Sequence, residues 1–161
     1  MWNTPDLCDE YPDQVRVLAP MYHNYGGRKS FFGEVETVKC FEDNSRVKEV
    51  LATPGNGKVL VVDGGGSLRK ALIGDLIAAD AIKQGWAGIV IHGCCRDVHE
   101  LQVMDFGVRA LNAIPVKSTR KGVGELGIAI DMGGVEVCPG MWLFADETGI
   151  VISDRNLLET S

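Results

Sequence analysis

The segment Lys58-Val59-Leu60-Val61-Val62-Asp63 is apolar at four consecutive positions. A strand without alternation has both faces covered, as in a parallel or mixed sheet held between layers. Residues 33–41 follow a different rule, because Glu34, Val35, Glu36, Thr37, Val38, Lys39 and Cys40 alternate polar and apolar. That strand keeps one face in the core, with Glu34 and Glu36 together on the face turned to water or an interface. Residues 75–84 predict a helix with its apolar side on Leu76, Ala79 and Ile82 and with Gly85 at C′. A second apolar strand, 88–92, follows it.

Upstream, Thr4 as N-cap, Pro5 at the first helical position and Asp6 in the first turn predict a short helix to about Tyr11. Residues 15–18 read as a short strand, and Asn44 or Ser45 starts a helix towards Leu51 that Gly55-Asn56-Gly57 closes as a turn. The second half is a series of short strands between glycine turns, at 113–116, 127–130, 135–137, 142–145 and 149–152, with a capped helix over 154–159. Strand, helix, strand, helix followed by a β-rich half predicts a mixed α/β architecture. With 161 residues, 45% hydrophobic content and neither linker nor repeat, the chain reads as a single domain over 1–161.

The formal net charge of -6 argues against a direct nucleic-acid surface, since Arg69-Lys70 and Arg120-Lys121 are only isolated doublets. No apolar run has the length of a membrane span, and Met1-Trp2-Asn3-Thr4 lacks the basic and apolar regions of a signal peptide. The five cysteines are an odd number, and Cys94 and Cys95 are adjacent, so reduced thiols in a cytoplasmic protein are expected. His92, Cys94, Cys95 and His99 crowd together, but no second cluster with zinc-ligand spacing accompanies them.

The candidate chemistry sits where the 88–92 strand runs out. Arg96 and Asp97 follow it side by side, and twenty residues separate Arg96 from Asp75, which with Gly74 opens a helix. Ligands in open α/β folds collect at the carboxyl ends of strands. A helix start offers free N–H groups to an anion, and a carboxylate, a guanidinium and such a nest together suit a small α-keto acid. Structural roles fit the same residues: Asp97-Val98-His99-Glu100 reads as a capping box, Asp75 as an N-cap and Arg96 as a surface residue. Gly64, Gly65 and Gly66 form either a tight turn or a close approach to an anion, but the chain carries no phosphate-loop signature. Lys58 and Lys70 offer no pocket context for a Schiff base, and Cys95 with His92 or His99 matches no nucleophile–base spacing.

Nearly the whole chain resembles the regulator of ribonuclease activity A family. The likeness rests on Leu7-Cys8-Asp9, Asn24-Tyr25-Gly26-Gly27-Arg28, Val38-Lys39-Cys40-Phe41-Glu42-Asp43-Asn44, Val59 to Ser67, Ala113-Ile114-Pro115-Val116 and Ala145-Asp146-Glu147-Thr148-Gly149-Ile150. The resemblance implies a swivelling β/β/α fold, mixed sheets with flanking helices, and a homotrimer. Some members bind and inhibit an endoribonuclease. Others are divalent-metal aldolases of 4-hydroxy-4-methyl-2-oxoglutarate that also decarboxylate oxaloacetate, and these carry an Asp, twenty residues, then Arg-Asp. Asp75, Arg96 and Asp97 match that pattern.

By that resemblance Asp97 is the metal ligand, for Mg²⁺ or Mn²⁺, Arg96 donates to the developing enolate oxygen, and Asp75 orients the water that shuttles the proton. The N–H groups of Gly74, Asp75, Leu76 and Ile77 take the pyruvate carboxylate. Longer catalytic members also place a carboxylate from a C-terminal segment in the neighbouring subunit's site. The sequence here ends at Ser161, so oxaloacetate decarboxylation, which needs only the pyruvate half of the site, is the firmer expectation.

Overall fold

The side chain of Asn3 accepts the Asp6 N–H at 2.8 Å and starts α1 (Thr4–Glu10), so the cap lies one residue before Thr4. The computed structural model describes residues 1–159. After α1 come β1 (Val15–Val17), β2 (His23–Asn24), β3 (Phe31–Lys39), α2 (Ser45–Leu51), β4 (Val59–Asp63) and β5 (Ala71–Ile73). The chain continues through α3 (Asp75–Lys83), β6 (Gly88–Cys95), α4 (Val98–Leu101), β7 (Gly107–Ala113), β8 (Glu125–Leu126), β9 (Ile130–Met132), β10 (Val135–Val137), β11 (Trp142–Ala145) and β12 (Ile150–Ser153).

One mixed sheet runs in the order β1-β12-β11-β3-β4-β6-β7-β2, with β5 paired to β6 and β8 to β3, and β9 and β10 form a separate hairpin. Strands β3, β4, β6 and β7 are mutually parallel, whereas β11, β12 and β1 extend the sheet in antiparallel pairs. The unalternating run in β4 has the expected consequence. Leu60 and Val62 pack with Ile89 and Ile91 against α2 and α3, while Val59 and Val61 pack with Val90 against β9, β10 and β11. Burying each of these side chains contributes roughly 1.5–3 kcal/mol over leaving it in water. A charge at Val61 would break the second layer.

Several sequence expectations are corrected. Helix α3 buries Ile77, Ala78 and Ala81, while Leu76 is 78% and Ile82 37% exposed. Apolar residues occupy so much of this helix that two stripes satisfied a 3.6-residue period, and only packing against β5 and α2 selects between them. No strand spans 113–116: β7 precedes that segment and ends at Ala113. Pro115 has no N–H to extend the ladder, and the buried Arg109, which donates to the carbonyls of Lys29 and Asp146, hides the strand in the pattern.

Residues 154–159 form bends and a turn rather than a helix. The Asn156 side chain accepts the Leu158 N–H at 3.0 Å and competes with helical pairing. His23 lies exposed on β2, away from any core. Among the described residues no helix is long and apolar enough to cross a membrane.

Candidate active site

Strand β6 continues past His92 to Cys95 because β5 pairs with its last residues, Ala71 with Cys94 and Ile73 with Cys95. The Arg96 N–H donates to the Ile73 carbonyl at 3.0 Å. These bonds bring Gly74 and Asp75, which follow β5, directly beside Arg96 and Asp97, which follow β6. The twenty-residue separation in sequence therefore closes into contact in space.

Asp97 has left-handed backbone angles, φ 57° and ψ 46°, and its side chain makes no capping bond to α4. Its Oδ2 instead accepts the Asp75 N–H at 3.0 Å, at the start of the neighbouring helix α3. The capping-box reading of 97–100 is thus not realised. Nor is Asp75 an N-cap: Gly74 holds that position, and Asp75 is the first helical residue. Gly74 is extended, so its lack of a side chain answers a need for space. A Cβ there would lie 2.4 Å from Asp97 Oδ2.

Asp97 perturbs the Asp75 carboxyl. A hydrogen bond to Asp97 raises the Asp75 carboxyl above the ordinary carboxylate range. Desolvation and the Asp97 charge add to the rise, which the Leu76 N–H partly offsets. Two like charges this close disfavour joint ionisation, and a cation between them would relieve the conflict. The N–H groups of Asp75, Leu76 and Ile77 belong to the helix's first turn and have no intrahelical acceptor. Asp97 engages that of Asp75, and that of Leu76 faces the Asp75 carboxyl.

Gly74, Asp75, Leu76, Ile77, Arg96 and Asp97 all line one crevice of about 600 Å³. Its opposite wall, formed by Asn44, Lys70, Lys117, Ser118, Thr119 and Arg120, was not anticipated from sequence. Asn44 organises it: Nδ2 donates to the Leu72 carbonyl at 3.1 Å, the backbone N–H to Ser118 Oγ at 3.0 Å, and Oδ1 accepts Arg120 Nε at 3.2 Å. The loop after β7 reaches this wall through isolated bridges, Ala71 to Lys117 and Asp43 to Thr119. The polar, basic run Lys117-Ser118-Thr119-Arg120-Lys121 was the one available signal. Lys70 has the pocket context that the sequence did not suggest.

Other candidates lie elsewhere. Gly64, Gly65 and Gly66 form a tight turn: Gly64 and Gly66 donate their N–H groups to the His92 carbonyl and Gly65 donates to Asp63 Oδ1. Burial pushes the Cys95 thiol up to about 12, Cys94 is raised for the same reason, and His99 is exposed. Among the described residues no three His, Cys, Asp or Glu side chains are grouped to hold a metal by themselves.

The RraA-like profile, described as Aldolase/RraA, matches residues 4–152. The chain belongs to the RraA-like family. Its RraA-like relatives include a protein of Pseudomonas fluorescens strain SBW25, 56% identical over 154 residues, which span 96% of this chain and 94% of that one. A relative from Ectopseudomonas mendocina is 54% identical over 96% and 95% of the two chains. Both bear the name "Putative 4-hydroxy-4-methyl-2-oxoglutarate aldolase".

Among solved structures, one described as the RNA-processing inhibitor RraA from Thermus thermophilis superposes with a TM-score of 0.94 at 43% identity, over 99% of this chain and 98% of that one. Another, from Geobacillus kaustophilus and described as an S-adenosylmethionine: 2-dimethylmenaquinone methyltransferase, gives 0.97 at 43% identity over 99% of both. These likenesses establish the mixed α/β RraA fold.

Proposed function

We propose that the protein is a divalent-metal-dependent carbon–carbon lyase of α-keto acids, releasing pyruvate from oxaloacetate and from 4-hydroxy-4-methyl-2-oxoglutarate. The observation that carries this reading is the meeting of Asp75, Arg96 and Asp97 at the start of α3, with the Asp97 side chain turned away from its own helix and into the crevice. The aldolase names of relatives more than half identical support it.

The donor set fits a hard cation. Asp97 is a carboxylate oxygen ligand, Asp75 is a second carboxylate beside it, and the remaining positions suit water, as Mg²⁺ and Mn²⁺ sites commonly have. When bound, the metal supplies Lewis-acid polarisation of the keto acid. Arg96 donates a planar pair of N–H groups to the oxygen where negative charge develops, a stabilisation worth roughly 3–4 kcal/mol. The Leu76 and Ile77 N–H groups hold the substrate carboxylate. Asp75, its carboxyl raised by Asp97, is suited to passing a proton through water to the pyruvate carbon. Lys70, Lys117 and Arg120 give the opposite wall the charge to attract a dianionic acid.

The functional assembly in this reading is a homotrimer. Leu76 and Val116, 78% and 45% exposed at the crevice mouth, suit coverage by a neighbouring subunit. The test is a coupled assay of pyruvate release from oxaloacetate with Mg²⁺, then with chelator. Stimulation by metal and loss on chelation are expected, and metal-independent background rates would sink the reading.

A second reading, binding and restraint of an endoribonuclease, is favoured by the 43% identity to the RNA-processing inhibitor across almost the entire chain. The net charge of -6 suits contact with an RNA-processing enzyme better than contact with RNA itself.

A further inference from the structure

The loop between β7 and β8 is fastened bond by bond to the chain that follows β3. The Thr119 N–H donates to the Glu42 carbonyl at 3.0 Å, the Asn44 N–H donates to the Thr119 carbonyl at 3.3 Å, and the Lys121 N–H donates to Asp43 Oδ2 at 2.8 Å. Arg120 therefore has a pinned neighbour on each side, although its own side chain stands at the surface.

That side chain is fixed as well. Arg120 Nε donates to Asn44 Oδ1 at 3.2 Å, and Asn44 is only 5% exposed. The Asn44 amide has one workable orientation: Nδ2 donates to the Leu72 carbonyl at 3.1 Å, and a flipped amide would set oxygen against oxygen there. With Nε occupied the two Nη groups remain, and among the described residues Arg120 pairs with no carboxylate. A guanidinium held in this way presents a planar pair of donors, the shape that matches a carboxylate.

Arg120 borders the crevice of Asp75, Arg96 and Asp97 on the wall across from them. Arg96 reaches the same loop nearer its start, where Nη1 donates to the Pro115 carbonyl at 3.5 Å. The two guanidiniums thus bound one space. Its lining carboxylates, Asp75 and Asp97, belong to the other wall. Lys70 and Lys117 line it too, but an ammonium on a flexible stem attracts charge without fixing an orientation.

We infer that Arg120, positioned by Asn44, is the specificity-determining residue of this crevice and takes the second carboxylate of a 2-oxo diacid. The inference rests on the lyase reading for the placement of the keto-acid end beside Arg96 and the start of α3. In 4-hydroxy-4-methyl-2-oxoglutarate the second carboxylate stays on the fragment that departs, so Arg120 holds it before and after cleavage. In oxaloacetate it is the group that leaves as neutral carbon dioxide, and a cation on it opposes that loss. The crevice is accordingly selective for the longer acid.

The test is isothermal titration calorimetry of the full chain in Mg²⁺ with pyruvate, 2-oxoglutarate and 2-oxopentanoate. The last two differ only in a terminal carboxylate against a methyl group, and neither has the 4-hydroxyl that cleavage needs. 2-Oxoglutarate is expected to bind at least about thirtyfold tighter than 2-oxopentanoate, and Arg120→Gln to cut that preference about tenfold. Arg120→Lys keeps the charge but not the planar pair, and should lose most of the same preference. Arg120 is exposed and its side chain makes no other hydrogen bond, so both variants should fold. Asn44→Ala should lower the preference while pyruvate and 2-oxopentanoate bind as before; equal weakening of all three acids would overturn its positioning role. An unaltered preference in Arg120→Gln, or none in an unmodified protein that binds pyruvate, would overturn the inference and leave the lyase reading standing. Failure of pyruvate itself to bind would sink both.

Discussion

The Asp97 carboxylate accepts the Asp75 N–H at 3.0 Å, so one side chain both closes the end of β6 and fixes the first turn of α3. The proposed metal ligand and a local structural bond meet in this contact, and substitutions can separate the two roles.

Asp97→Asn keeps an acceptor for the Asp75 N–H and a side chain that tolerates the left-handed backbone. We expect metal-stimulated pyruvate release to be lost while the melting temperature stays within a few degrees. Asp97→Ala loses the same activity and, by removing the cap, about 1 kcal/mol of stability as well. Unchanged metal dependence in the Asn variant would remove Asp97 from the site.

Gly74→Ala places a methyl group against Asp97 Oδ2. The carboxylate must swing away, and turnover should fall at least about tenfold, since a misplacement of 1 Å can cost more. Circular dichroism should still report the native fold. Full activity would mean that the Asp97 position is not critical.

Arg96→Lys should depress turnover about a hundredfold, because an ammonium does not reproduce the planar donor pair. Inhibition of an endoribonuclease, measured on the same preparation, should hardly change. Parallel loss of both activities would place them on one surface.

Sedimentation should give a mass three times the 17.4 kDa of the chain. A monomer at micromolar concentration would refute the trimer.

Asp43 supplies a pH signature behind the site. Its burial raises the carboxyl, but the Ser45 hydroxyl and the Ser45, Lys121 and Val123 N–H groups outweigh that and bring it from 3.8 to about 2. A group lowered on folding stabilises the protein above its unfolded value, and this support fades as pH drops through the folded one. The support is therefore full above pH 4 and declines towards about pH 2. Asp43→Asn should be less stable at neutral pH by about 1–2 kcal/mol, with the gap closing as pH falls. Urea midpoints that keep a constant gap down to pH 2 would contradict this.

The residues around Asp75 and Asp97 were legible in sequence because local signals coincide there: an apolar strand, a glycine before a helix and a charged pair after a strand. What sequence hid was long-range. Asn44, Lys117 and Arg120 reach the crevice through bridges between distant loops, which leave no period in the chain. The role of Asp97 was ambiguous for the same reason, since its real partner is 22 residues away and its apparent one, Glu100, only three. Helix α3 shows the limit of periodicity: when most positions are apolar, the buried stripe is chosen by the surface it meets.

The sheet order puts β12 and β11 between β1 and β3, and Thr4 near the amino end binds the Asp146 carboxylate at 2.7 Å through both its N–H and its hydroxyl. A ribosome delivers these partners more than a hundred residues apart. Until the final strands emerge, one edge of β3 has no neighbour and α1 has no anchor. Completion of the sheet is therefore governed by distant pairing, which slows folding. During that interval the nascent chain presents an open, aggregation-prone edge.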